Sequence, residues 1–168
     1  MNLVNSLRRC AVIGAFATLA SGHASADVLS AVSAPANWTF AGAAQVAVPG
    51  MTSALFANPL NGRFVVTFSG ECAVNAPAGS SSAWTDVDIV VLNTAGAVVR
   101  TLPPTVGAAD AFCSSNGTAG FDGWASNSIT AVNGTGLAAG LYRVQVRARL
   151  NGGATGGWFG ERSLVVIR

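Results

Sequence analysis

The stretch LYRVQVRARL, residues 141–150, alternates between apolar and polar side chains. One parity carries the apolar and aromatic members: Tyr142, Val144, Val146, Ala148 and Leu150. The other parity carries the polar members: Arg143, Gln145, Arg147 and Arg149. Successive side chains of a β-strand point to opposite faces of its sheet, so this pattern predicts a strand with one buried face and one solvent-facing face.

Similar runs occupy most of the chain and are separated by turn signals. Asn-Gly pairs occur at 61–62, 116–117, 133–134 and 151–152, and they favour the positive φ angles that hairpin turns need. The clear runs are RFVVTFSGECAV (63–74), AWTDVDIVVL (83–92), GAVVRTL (96–102), SNSITAV (126–132) and RSLVVIR (162–168), and the weaker ones are AQVAV (44–48) and SALFA (53–57).

No segment shows a helical period. The segment SAVSAPANW (30–38) reads as a loose lead-in, and NAPAGSSSA (75–83) reads as a small-residue loop. About eight short strands with plentiful glycine predict an all-β fold, an antiparallel β-sandwich of the jelly-roll or immunoglobulin-like kind.

The first 26 residues have the order of a secretory signal peptide. Two positive charges, Arg8 and Arg9, precede the eleven-residue apolar stretch CAVIGAFATLA, and Ala24 and Ala26 then form an A-x-A cleavage site. The apolar stretch is too short to span a bilayer, which takes about 20 residues. We therefore expect an exported protein, periplasmic or extracellular, whose residues 27–168 form a single β-sandwich domain.

Loss of the signal peptide removes the basic character of the chain. The formal charge of +2 comes from Arg8 and Arg9, so residues 27–168 carry seven arginines and seven acidic residues. A balanced charge gives no basis for nucleic-acid binding, and no other run is long enough to span a membrane. We expect neither a nucleic-acid partner nor a membrane span after cleavage.

Two cysteines remain after residue 26, Cys72 and Cys113. An exported chain folds under oxidising conditions, and two cysteines permit one pairing. The alternative is two buried free thiols. We expect a structural disulfide.

The arginines of the opening stretch have two explanations. Asp86 and Asp88 share a parity in WTDVDIVVL, so a neighbouring strand that carries Arg143, Arg147 and Arg149 could pair with them across the sheet. The alternative is an anion-binding face in which the arginines contact a ligand. Asp86 and Asp88 also stand about 7 Å apart on a strand, a spacing compatible with a glycosidase carboxylate pair.

Aromatic residues in glycine-rich stretches are the strongest binding candidates. Trp124 follows Asp122 and Gly123, and Trp158 and Phe159 lie in GGATGGWFGER (152–162). Large rings on loops are typical platforms for a ligand, and they predict binding of a glycan-like ligand by analogy with exported β-sandwich modules. The alternative is that these rings cap the core.

Residues 27–168 contain no His and no Lys, so a nucleophilic serine would lack its usual base, and we expect no enzyme activity and no zinc. The one metal that the sequence leaves open is Ca²⁺, bound by oxygen ligands from Asp110, Asn116 and Asp122 in DAFCSSNGTAGFDGW (110–124).

The segment GECAVNAPAG with Cys113 resembles the front half of chaperone–usher pilus subunits, and that resemblance implies an immunoglobulin-like fold with strand exchange between neighbours. The chain ends in SLVVIR, without the penultimate tyrosine of that family. We assign no family. The prediction is a non-catalytic glycan-binding module, and the alternative is a structural or adhesive subunit that forms homo-oligomers.

Overall fold

A computed structural model describes residues 26–107 and 110–168. It contains eleven β-strands: β1 (Val28–Ala34), β2 (Trp38–Phe40), β3 (Val46–Thr52), β4 (Phe56–Asn58), β5 (Phe64–Ala76), β6 (Trp84–Leu92), β7 (Val98–Thr101), β8 (Ala111–Ser114), β9 (Gly120–Asn133), β10 (Gly140–Asn151) and β11 (Gly156–Ile167). In the described part of the chain, no helix is long and apolar enough to cross a membrane. Apart from Ala26, the predicted signal peptide lies outside the described residues.

The strands form two antiparallel sheets that pack face to face. Sheet A has the order β1–β11–β5–β9, and β2 pairs with the first part of β11. Sheet B has the order β3–β10–β6–β7, while β4 extends the pairing of β10 and β8 extends that of β6. The all-β antiparallel sandwich expected from the sequence is confirmed.

The core lies between the sheets and is built from the inward parity of the long strands. On β10, Tyr142, Val144, Val146, Ala148 and Leu150 are all buried, as the opening alternation predicts. On β5, the fully buried Phe68 packs against Phe112 and Phe159. The predicted disulfide is also present, and Cys72 of β5 is bonded to Cys113 of β8, which joins sheet A to sheet B.

The structure has three strands more than the eight or so expected from the sequence. The segment expected to be a loose lead-in contains most of β1 and the first residue of β2, and the stretch with the candidate calcium ligands contains β8. β2 and β8 are three and four residues long, and all three strands pair along the side of a longer strand. These three strands form by pairing with a longer strand and do not depend on a buried stripe of side chains. Their sequences therefore alternate only weakly between apolar and polar residues.

Candidate functional site

Two tryptophans meet on the outer face of sheet A. Trp158 lies on β11 and Trp124 on β9, the strands that flank β5. Their ring centroids are 4.7 Å apart, with an angle of 66° between the ring planes. Neighbouring strands are about 4.8 Å apart, so rings two strands away must lean toward each other above β5 to come this close. Ala73, the residue of β5 that pairs with Trp158, is fully buried.

A β-bulge in β9 aims Trp124 at this position. The register of β9 places Gly123 and Trp124 together opposite Ala73. Gly123 has a φ of +63°, and a Cβ there would overlap the backbone carbonyl oxygen of Ser114. A bulge with a glycine in this conformation twists the strand and redirects the side chain that follows.

A second bulge, in β11, positions Trp158. Gly160 and Glu161 together oppose Glu71 of β5. A Cβ at Gly160 would overlap both the edge of the Trp158 ring and the Glu71 carboxylate. A larger residue at this position would therefore have to displace the indole or the carboxylate, which lie together over the Gly160 backbone.

A polar groove runs from the tryptophans across sheet A. Beyond Glu71 and Glu161, a row of serines crosses four paired strands: Ser33, Ser163, Ser69 and Ser128. The groove has a volume of about 690 Å³ and joins a recess of about 420 Å³ at the tryptophans, because Glu71 and Ser126 line both. Rows on one face are about 7 Å apart, so the serine row lies about 14 Å from the tryptophans.

The chemistry of this face suits a ligand that carries many hydroxyl groups. Serine hydroxyls both donate and accept hydrogen bonds, carboxylates accept them, and indole faces pack on apolar C–H surfaces. Ser69 already donates to Ser128 at 2.9 Å, which shows the spacing at which hydroxyls interact across this face. We call the surface formed by the tryptophans, the two glutamates and the serine row the groove face.

The structure separates the three aromatic candidates of the sequence analysis. Trp124 is 61% exposed and Trp158 is half-buried, but both lie on strands and not on loops, because β5 pairs with the glycine-rich segments on either side. Phe159 is fully buried, and its ring lies nearly parallel to the rings of Trp38 and Phe40, with centroids about 6 Å apart. Its parity is opposite to that of Trp158, so Phe159 faces the core and does not share the face of the two tryptophans, in contrast to the expectation from the sequence.

The arginine candidates lie on the outer face of sheet B, on the opposite side of the sandwich from the tryptophans. Arg147 pairs in register with Asp88, and Arg149 with Asp86. Arg149 Nε donates to Asp86 Oδ2 at 2.6 Å, and its Nη2 lies 3.2 Å from Asp88 Oδ2. Cross-strand pairing therefore accounts for Arg149, whereas Arg143 is exposed and Arg147 donates to Gln145.

The two aspartates are much less accessible than a solvated strand face would make them. Asp86 is 1% exposed and Asp88 is 6% exposed, and the Oδ1 atom of each has no hydrogen-bond partner. Burial raises the pKa of both carboxyls, against the opposing effect of Arg149. Neither residue lines the groove or the recess at the tryptophans.

The buried aspartates predict an unusual dependence of stability on pH. A raised pKa in the folded state means that the unfolded chain releases these protons first, so their contribution to the free energy of unfolding falls as the pH rises above about 4. We expect the unfolding free energy of the wild type, minus that of an Asp86→Asn, Asp88→Asn variant, to decrease between pH 3 and pH 7. Urea unfolding of both proteins measures this difference. A difference that grows with pH would mean that Arg149 outweighs burial.

Two of the three candidate calcium ligands, Asn116 and Asp122, form hydrogen bonds in the segment before β9. Asp122 Oδ2 accepts hydrogen bonds from the Thr118 amide at 2.7 Å and from the Ser115 hydroxyl at 3.1 Å, so it holds the loop before β9. Asn116 accepts from the same Thr118 amide, and Asp110 lies near Asp86. Within residues 26–107 and 110–168, no three His, Cys, Asp or Glu side chains group together as metal ligands.

Comparison with known proteins gives a likeness only among solved structures. No protein-family model matches the chain, and no curated protein matches it. The chain is similar to the infectious bursal disease virus VP2 subviral particle, with 17% sequence identity and a TM-score of 0.47. The likeness covers 84% of this chain and 32% of that one, so this chain spans about a third of the viral protein's length.

Proposed function

We propose that this protein is an exported, non-catalytic module that binds a glycan on the groove face of sheet A. The observation that carries the proposal is the pair of tryptophans held by two bulges at the end of a polar groove. Trp124 keeps 61% of its surface exposed at the end of this groove. Rings beside hydroxyls and carboxylates are the groups that contact the apolar and polar faces of a sugar.

The shape of the groove face supports an oligosaccharide as its ligand. The tryptophans and the serine row lie about 14 Å apart on one face, which is longer than a single hexose. Four strands of sheet A contribute to the serine row, so the contacts with the ligand would come from several strands of a rigid sheet. A site built on paired strands is held more firmly than one on loops.

Titration of the intrinsic tryptophan fluorescence with soluble oligosaccharides tests the proposal. We expect a saturable change for the ligand, and a loss of affinity of at least about tenfold in Trp124→Ala, equivalent to about 1.4 kcal/mol. Because Trp124 is largely exposed, this substitution should leave the unfolding transition in place.

Trp84→Phe is the matched control, since Trp84 lies on β6 in sheet B, away from the groove face. It should keep the wild-type affinity. Equal affinity in Trp124→Ala, or loss of binding in Trp84→Phe with the fold intact, would place the ligand elsewhere and contradict the proposal.

Self-assembly is the second candidate, and the free edge of sheet A favours it. β9 has 14 residues, its one charged residue, Asp122, is buried, and among the described strands only β5 pairs with it. Part of this edge is covered: the Val132 amide donates to the Pro103 carbonyl at 3.0 Å, and β8 lies beside β9, where the Asn127 side chain donates to the Phe112 carbonyl. Such an edge can add a strand from another copy, and association that rises with concentration and is blocked by lysines in β9 would distinguish this candidate.

A further inference from the structure

The groove face is acidic where a ligand would contact it. Glu71 and Glu161 are both exposed, and within the described residues neither forms an ion pair. Both lie in the row between the tryptophans and the serines, on strands β5 and β11. A ligand that spans the groove therefore passes over two carboxylates.

Among the residues that the structure describes, Arg162 is the one cation that lines the groove, and it is not available to neutralise a ligand. Arg162 is 5% exposed, and its guanidinium is directed into the protein. It donates to the carbonyls of Ala36 and Gly160 at 2.7 and 2.8 Å, and to that of Pro49 at 3.0 and 3.2 Å. Uronic acids and sulfated sugars would meet the two carboxylates without an accessible cation, so the groove disfavours anionic glycans.

The tryptophan corner adds a feature that specifically suits a cation. The recess of about 420 Å³ is lined by Trp124, Trp158 and Glu71, together with Ala125 and Ser126. The indole planes stand at 66° to each other, and the Glu71 carboxylate lies at the edge of the Trp158 ring, above Gly160. A cation within about 6 Å of an aromatic face is attracted by the ring, and a carboxylate beside it adds direct charge pairing.

We infer that the ligand is an amino sugar whose protonated amine lies between the two indoles and the Glu71 carboxylate. This inference rests on the proposed glycan-binding function and narrows its ligand class. The amine would contact the aromatic corner, and the hydroxyls of the following units would reach Glu161 and the serine row. The free amine is the essential group, because an acetylated nitrogen has no charge.

Isothermal titration calorimetry with three tetrasaccharides tests the inference: β-1,4-linked glucosamine, its fully N-acetylated counterpart, and a neutral glucose oligomer. We expect the glucosamine tetramer to bind about tenfold more tightly than either of the others at a pH where its amines are protonated. Glu71→Gln should remove this preference, because it should lower the affinity for the glucosamine tetramer much more than the affinity for the neutral tetramer. Glu161→Gln is the matched control, because it removes the same charge outside the aromatic corner.

The outcomes separate the inference from the function on which it rests. Equal binding of the three tetramers, or a preference that survives Glu71→Gln, would overturn the amino-sugar inference while glycan binding stands. Binding of tetralysine as tightly as the glucosamine tetramer would show recognition of ammonium groups without the sugar, and would also overturn it. If no tetramer binds to the wild type, the proposed function itself is overturned.

Discussion

Protein in which Cys72 and Cys113 are both replaced by alanine is expected to lose about 4 kcal/mol of unfolding free energy. The disulfide links residues 41 positions apart, and closing a loop of that length removes conformational entropy from the unfolded chain. Both sulfur atoms are also buried, so the variant loses packing in the core. Urea unfolding should show the midpoint lowered by at least about 1 M.

Reduction of the wild type by dithiothreitol is the control, since it opens the bond but keeps the cysteine side chains. It should reproduce most of the loss. A loss below about 1 kcal/mol in both samples would mean that packing of Phe112 against Phe68 holds β8 in place without the bond.

The disulfide is also connected to the groove face. β8 is four residues long and ends at Ser114, whose carbonyl lies against Gly123 in the bulge that directs Trp124. A β8 released from β5 would no longer restrict that bulge. We therefore expect the reduced protein to bind its ligand more weakly even where it remains folded.

The sequence predicts the central strands of this fold well because each carries a complete buried stripe. β5, β6 and β10 lie inside their sheets, and their alternation is visible in the residues alone. β1, β2 and β8 are not predictable in this way. They are edge strands that have no clear hydrophobic pattern of their own. Pairing with a longer neighbouring strand holds them in the sheet.

The candidate site is predictable only in part. Trp124 and Trp158 stand out as large rings beside glycines, but the sequence does not show that the two rings meet. That meeting depends on two bulges, and a bulge changes parity without leaving a clear signal in composition. Glu71 does leave a signal in the sequence, since it shares the outward parity of Thr67 and Ser69 on β5.

Arg162 shows how the site and the stability of the fold are linked. Its parity on β11 matches that of Leu164, so its side chain points inward where an apolar residue would be expected. The guanidinium joins the segment after β1, through Ala36, to Pro49 of β3 and to Gly160 in the β11 bulge. Burial lowers the pKa of this guanidinium, and its hydrogen-bond partners among the described residues are all backbone carbonyls.

Replacing Arg162 with methionine is expected to lower the unfolding free energy by roughly 3 kcal/mol, because three carbonyls lose hydrogen bonds from a charged donor. Arg162→Lys should recover little of this, since an ammonium group cannot reproduce the fork of the guanidinium. Urea unfolding measures both, with Arg143→Met as the control, because Arg143 is exposed on β10 and should change stability by less than about 0.5 kcal/mol.

The same variant should also weaken ligand binding. The Trp158 ring and the Glu71 carboxylate lie over Gly160. Arg162 donates a hydrogen bond to the Gly160 carbonyl. Loosening that carbonyl lets the bulge relax, so affinity should fall in Arg162→Met and stay unchanged in Arg143→Met under conditions where both are folded. If Arg162→Met is as stable as the wild type, methionine packing compensates for the lost hydrogen bonds, and the carbonyls do not need the cation.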